Sequence, residues 1–253
     1  MRYKRYKNEL DYSYALGMAP VIELIKCRPG CVLAVFVHPD YKAGAGADLN
    51  IFELCRECGL PCETNQKIFN IEAQKENIYV IGVFKKFNAP LSPLHPHAVF
   101  VNPGDAGNLG ANLRTCLGFC IRDIAIIKPG ADIYSPKTVR ASMGAVFHVS
   151  TAGFSSYDEY AAAFPEHSKF LFMLSGATEL GEISAIDDDR ISLVFGNEAT
   201  GLPDSYMRYG RSVRIPHSGA IDSLNLTVAV GVAAHKFYNL RFIKRLQNDK
   251  QHT

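Results

Sequence analysis

The feature that most constrains this chain is an alternation. From residue 98 onward, apolar stretches of strand length are separated by stretches with the spacing of amphipathic helices. Strand, helix, strand in that order makes a βαβ unit, so the expected class is α/β with a mostly parallel sheet covered by helices. Strands are expected at 98–102, 123–128, 146–149, 169–174 and 191–195, and helices at 109–119, around 138–143 and at 157–164.

The first third carries a smaller version of the pattern. A helix is expected at 20–26 and a strand at 31–37. Asp48 is placed to cap an amphipathic helix through Cys58, which Gly59 ends. A strand at 61–64, a helix near Gln66 and a strand at 78–84 complete a small α/β domain. The stretch KKFNAPLSPLHPH, with three prolines and two histidines, breaks helix and ladder alike and reads as a linker. The boundary is set near Pro90, giving domains 1–90 and 91–253, and His95 and His97 are expected to face solvent.

At 253 residues, 47% hydrophobic and 21% charged, the chain is too apolar for a disordered segment and has no fibrous repeat. The apolar run 224–234 is interrupted by Asn225 and Thr227 and falls short of the ~20 residues of a membrane span. The opening MRYKRYKNELDYSY is basic without the apolar run of a secretory signal, which suggests the cytoplasm and no membrane partner. Seven cysteines, an odd number, fit reduced thiols. Cys55, Cys58 and Cys62 invite a zinc reading, with Cys27 or Cys31 as a fourth ligand. Buried free cysteines explain the same spacing, and no metal is expected. The net charge of +2 is nearly neutral, yet four of the first seven residues are Lys or Arg. The last helix, 224–246, is apolar almost all round in its first half and gains Lys236, Arg241, Lys244 and Arg245 in its second. Its start should be buried, and a face left over predicts packing against a second subunit, hence a homodimer.

Three clusters stand where strands give way to helices or loops, the usual place for ligands in α/β proteins. The first, NPGDAGNLGANLRT, spans 102–115. Its glycines, 104, 107 and 110, do not have the dinucleotide spacing, and no Gly-Lys-Ser/Thr follows. Leu109, Leu113, Leu117 and Cys120 form the expected buried stripe. Arg114 lies about 100° round from Leu113, where the ordinary fate of an arginine is a solvated face. In the second, VFGNEATGLP, Gly196 and Gly201 bracket Glu198, which reads equally as a turn residue or a functional acid. In the third, 214–235, Asp222 or Ser223 can cap the last helix. Asn225 then falls in an apolar first turn, where a buried amide needs partners. No Gly-x-Ser-x-Gly elbow marks a hydrolase.

Taken in order, the clusters resemble the three motifs of the SpoU (TrmH) branch of the SPOUT RNA methyltransferases. Asn108, Arg114 and Thr115 resemble the first motif. Gly196, Asn197 and Glu198 with Gly201 and Leu202 resemble the second. Ile215 and Pro216, then Ser223, Leu224 and Asn225, resemble the third. The likeness spans about 96–246 and includes RASMGAVFHV at 140–149. Residues 17–25 and CRECGLPCE resemble, more weakly, a ribosomal-protein-like RNA-binding domain.

The resemblance implies a trefoil knot in the carboxyl-terminal domain, a dimer, and S-adenosyl-L-methionine as cofactor. It implies cofactor contacts from Gly196, Asn197, Ile215, Pro216 and Leu224, with Ser175 and Gly176 as further candidates. It also implies methyl transfer to a ribose 2′-hydroxyl of RNA, with Arg114 central and Asn108, Glu198, Ser223 and Asn225 orienting the site. Glu198 is a candidate partner for Arg114. Ribosomal RNA is the preferred substrate and transfer RNA the alternative, with Arg2, Lys4, Arg5 and Lys7 as phosphate contacts. His217 departs from the methionine common at that place. The competing readings are a non-catalytic RNA-binding protein that keeps the fold and, less well supported, a nicotinamide-dependent oxidoreductase.

Overall fold

A computed structural model of the chain describes residues 3–42, 50–73 and 77–251. In chain order the elements begin with β1 (Tyr12–Leu16), α1 (Met18–Cys27), β2 (Val32–Val37), α2 (Ile51–Glu57), β3 (Cys62–Thr64), α3 (Gln66–Glu72) and β4 (Val80–Lys85). They continue with β5 (His97–Val101), α4 (Ala106–Gly118), β6 (Asp123–Ile127), α5 (Pro136–Ala141), β7 (Ser150–Phe154), α6 (Tyr157–Ala163) and β8 (Ser168–Phe172). The last are β9 (Thr178–Glu179), β10 (Ile191–Phe195), β11 (Arg211–Arg214) and α7 (Leu226–Gln251). No helix among the described residues is long and apolar enough to cross a membrane.

Contacts divide the chain into two compact units. The first takes Met1–Phe87 together with Leu109–Arg114 and Asp132–His148. Its sheet runs β1-β4-β2-β3, antiparallel except for the β2–β3 pair. Strand β1 is absent from the sequence expectations. The basic, tyrosine-rich opening masks it, yet Tyr12 to Leu16 is buried at every position and pairs with β4 along its length. The expected cap Asp48 lies outside the described residues; the cap seen on α2 is Asn50, whose side chain accepts from Phe52 N at 3.0 Å. Cys55 is buried, Cys62 half-buried and Cys58 exposed, with burial pushing the Cys55 thiol up to about 12. Lys4, Arg5 and Lys7 are exposed, and Arg2 lies outside the described residues.

The second unit takes Asn88–Asn108, Thr115–Ala131 and Val149–Thr253, around a seven-stranded sheet ordered β7-β6-β5-β10-β8-β11-β9. Every pairing in it is parallel, as the alternation requires. Strands β5, β6 and β10 are buried at all five positions each, the signature of a sheet covered on both faces. On one face Val99, Val101, Leu171 and Val194 pack with Tyr157 and Tyr160 of α6 and with Phe164, which follows it. On the other, Phe100, Phe195 and Phe172 stack in a row, and Phe237 of α7 meets Phe170 and Phe172.

Several expectations give way. Residues 145–148 form a 3-10 turn, and the strand falls one step later at β7. An edge strand needs fewer apolar residues than a central one, so Ser-Thr-Ala-Gly-Phe serves, while Val146 and Phe147 are buried from the turn. The buried stripe of α4 is Leu109, Leu113 and Cys116, because the helix ends at Gly118 and leaves Cys120 exposed. His97 is fully buried as the first residue of β5, whereas His95 faces outward. The start of α7 is buried on one side only. Val230, Ala233 and Phe237 face the sheet, while Val228, Val232, Tyr238 and Phe242 stay exposed along one stripe. Arg241 grips both carboxylate oxygens of Asp189, at 2.9 and 3.0 Å, and fastens that helix.

Candidate active site

The carboxyl ends of parallel strands β8, β10 and β11 lead into three loops, and those loops enclose one cavity of about 290 Å³. Its floor is aromatic, from Phe172 and Phe195 at the strand ends. Its walls are the 196–202 loop, the 173–175 turn, Ile215 with His217, and Ser223, Leu224, Leu226 and Ala229 at the entry of α7.

The 196–202 loop closes on itself so tightly that residue 196 has no room for a side chain. A Cβ on Gly196 would lie 2.2 Å from the carbonyl carbon of Gly201. Gly201 completes the closure at φ +65°, in the left-handed region that glycine adopts without penalty. Asn197 then shapes the loop from within. Its side-chain oxygen accepts from Ala199 N at 2.9 Å and Thr200 N at 3.3 Å, and its Nδ2 donates to the Asn102 carbonyl at 2.7 Å. The loop after β10 is thereby tied to the loop after β5.

Glu198 makes the second tie. Its carboxylate accepts from Gly104 N at 2.9 Å and from Asp105 N at 3.2 Å, and Asn108 Nδ2 approaches at 3.5 Å. Burial works against the charge, but the donors from the backbone and from Asn108 outweigh it and hold the carboxyl below its usual range. Glu198 is thus more than a turn residue. Asp105 caps α4 by accepting from Asn108 N at 2.8 Å, which sets Asn108 in the first turn of the helix that carries Arg114. Arg114 is exposed and has no hydrogen bond or ion pair among the described residues.

Of the residues singled out in the sequence, Ser175, Gly196, Asn197, Glu198, Ile215, Ser223 and Leu224 line the cavity together. Ser175 also donates to Asp204 at 2.9 Å. Gly176 stands behind the wall, where a Cβ would strike the backbone of Val213 at 2.4 Å, and Pro216 is likewise outside the lining. Asn225 corrects an expectation. The last helix starts at Leu226, and exposed Asn225 is its cap, accepting from Thr227 N at 2.8 Å, so no buried amide remains to be explained. Neither Asp222 nor Ser223 takes that place. Leu174, Thr200 and Ala229, not among the residues expected from the sequence, also line the cavity, as does Leu202 of the second motif. Each is within a few residues of a strand end or of the α7 start, the one signal that pointed there.

Residues 96–235 match the SpoU rRNA methylase family. A 23S rRNA (adenosine(1067)-2′-O)-methyltransferase of Streptomyces laurentii is 34% identical over 134 residues, which is 51% of this chain and 49% of that one. The chain therefore spans about half the length of the curated relatives it matches first. Among solved structures, an AdoMet-bound rRNA methyltransferase from Sinorhizobium meliloti superposes with a TM-score of 0.72 at 26% identity, covering 89% of this chain and 86% of that one. A structure described as showing 2-OH methylation of C/U34 on tRNA has a TM-score of 0.53 at 32% identity, over 59% of this chain and 97% of that one.

Proposed function

Because the chain belongs to the SpoU rRNA methylase family, we propose that it methylates a ribose 2′-hydroxyl of RNA with S-adenosyl-L-methionine, and that its substrate is ribosomal RNA. The observation that carries this reading is the cavity lined by Gly196, Asn197, Glu198, Ile215, Ser223 and Leu224, two sequence-distant motifs on one wall system, with the first motif tied to it through Glu198.

The residues present suit the cofactor. An aromatic floor accommodates a planar base, and the loop closed over Gly196 presents backbone groups that a side chain at that position would displace. Ser175, His217 and Ser223 supply polar groups among the lining residues. S-adenosylmethionine supplies a methyl group already activated on a sulfonium. The chain's task is alignment of the attacking oxygen and help for a hydroxyl that is a poor nucleophile while protonated.

Arg114 has that second role. A guanidinium, with its pKa above ~12, is a poor base at neutral pH, so its part is electrostatic. It binds the neighbouring RNA phosphate in two-pronged fashion and stabilises charge developing on the 2′-oxygen, while phosphate or water accepts the proton. It has no protein partner among the described residues, which leaves the fork available. Glu198 holds the Gly104–Asn108 segment, and with it the first turn of α4, in register with the cofactor loop. Residues 1–90 act as the RNA-binding domain, with Lys4, Arg5 and Lys7 on phosphates, and 91–253 as the knotted catalytic domain. The enzyme works in the cytoplasm without a catalytic metal, as a homodimer joined through the exposed apolar stripe of α7.

The test incubates the purified protein with labelled S-adenosylmethionine and separate unmodified ribosomal and transfer RNA pools, then identifies labelled nucleosides by mass spectrometry. A 2′-O-methyl nucleoside in ribosomal RNA, lost in Arg114→Ala and nearly lost in Arg114→Lys, supports the proposal. Label in transfer RNA alone would reassign the substrate, and near-normal turnover by Arg114→Lys would refute the two-pronged role.

A further inference from the structure

Within the first unit, three metal-ligating side chains converge. Glu23 and Cys27 are four residues apart on α1, so they project from one face of the helix. His148 ends the 3-10 turn Ala145–His148 packed against that face. The Cys27 sulfur lies 3.2 Å from His148 Nε2, and Glu23 Oε2 lies 2.7 Å from the same nitrogen. All three ligand atoms fall within 4.8 Å of one another, the one group of three or more such atoms among the described residues. We propose that Glu23, Cys27 and His148 bind a zinc ion, which clips the 145–148 turn to α1.

The arrangement argues for a shared ion rather than a proton relay. A Cys–His–Glu relay places the thiol on one ring nitrogen and the carboxylate on the other, whereas here both approach Nε2 most closely. A zinc ion resolves the crowding. It replaces the thiol proton, forms bonds to sulfur, nitrogen and oxygen, and keeps a fourth position for water at this half-exposed site. One thiolate, one imidazole and one carboxylate suit zinc and not calcium or magnesium, which select all-oxygen sets. The turn is independently braced, because Arg28 Nε donates to the Phe147 carbonyl at 3.0 Å while its guanidinium lies over the Phe87 ring.

The test uses the metal-free full chain and cobalt(II) as a probe. One equivalent should give a thiolate-to-cobalt charge-transfer band that zinc bleaches, and zinc should raise the melting temperature. Cys27→Ser and, separately, His148→Gln should each weaken binding at least 100-fold with unchanged circular dichroism. Exposed Cys58→Ser should leave the band intact, which separates this site from the cysteines near residue 60. No band in the parent protein, or a band that survives both Cys27→Ser and His148→Gln, would overturn the proposal.

Discussion

Gly196→Ala is the sharpest perturbation of the cavity proposed to hold the cofactor. An added Cβ would sit 2.2 Å from Gly201 C, 2.4 Å from Gly201 O and 2.4 Å from Leu202 N, where ordinary contact begins at 3.4 Å. These neighbours are backbone atoms, so no side chain can swing aside, and the far limb of the loop must retreat by about 1 Å. The retreat falls on the wall formed by Asn197 to Leu202 and on the ties that Asn197 and Glu198 make to residues 102–105. Misplacement by ~1 Å costs on the order of 100-fold in comparable settings, so S-adenosylmethionine affinity should fall about that much. Gly201→Ala provides the internal comparison. Nothing lies within 4 Å of its added Cβ, and the penalty is only the φ of +65°. That strain is about 1–2 kcal/mol, a factor of roughly 5–30 at most. Isothermal titration of both variants with the cofactor, beside their melting temperatures, gives the order directly. A folded Gly196→Ala protein with near-parental affinity, or one that binds better than Gly201→Ala, would refute the steric reasoning.

Two further outcomes follow from the same description. Asn225→Ala should lower stability by about 1 kcal/mol and the melting temperature by about 2–4 °C, with Asn225→Asp restoring most of it, if the residue caps α7; an unchanged melting temperature would remove the cap from the account. His97, buried and bonded to Ser92 O and Tyr160 OH, has its pKa pushed down by burial to about 4, so the unfolded chain binds the proton first. Stability is then complete above pH ~6.5 and is lost as pH falls towards 4, by roughly 3 kcal/mol from this group. Thermal melts across that range, compared with His97→Gln, should show a smaller acid slope in the variant, and equal slopes would contradict it.

The central sheet was legible because a fully buried parallel strand is an uninterrupted apolar word: 97–101, 123–127 and 191–195 announce themselves. The edges were not. Strand β7 reads Ser-Thr-Ala-Gly-Phe, β9 has two residues, and β11 carries arginine at both ends, so composition held little strand signal. Strand β1 hid among tyrosines whose burial depends on partners distant in the chain. The site was legible as three clusters and not as contacts. Nothing local says that Glu198 would spend its charge on two backbone amides 93 and 94 residues earlier. Asn225 reads as helix interior because the apolar run begins one residue before it, and a helix start two residues later turns the apparent buried amide into a cap. His97 looked like linker because prolines precede it.

The seven-stranded sheet and the loops at its carboxyl ends differ in how often they open. Ladder amides of β5 and β10 are held from both sides and exchange with solvent only when the unit unfolds. The 196–202 loop has a single bridge, Asn197 to Gly201, beside its side-chain bonds, so its amides exchange through local opening. The cavity can therefore admit and release a ligand on a clock of its own, with the sheet keeping the loop ends in place throughout. On that clock, ligand binding registers first as slowed deuterium uptake at 196–202, 215–217 and 223–229, where local opening is suppressed, while the strands beneath slow only as far as the bound ligand stabilises the whole unit against unfolding.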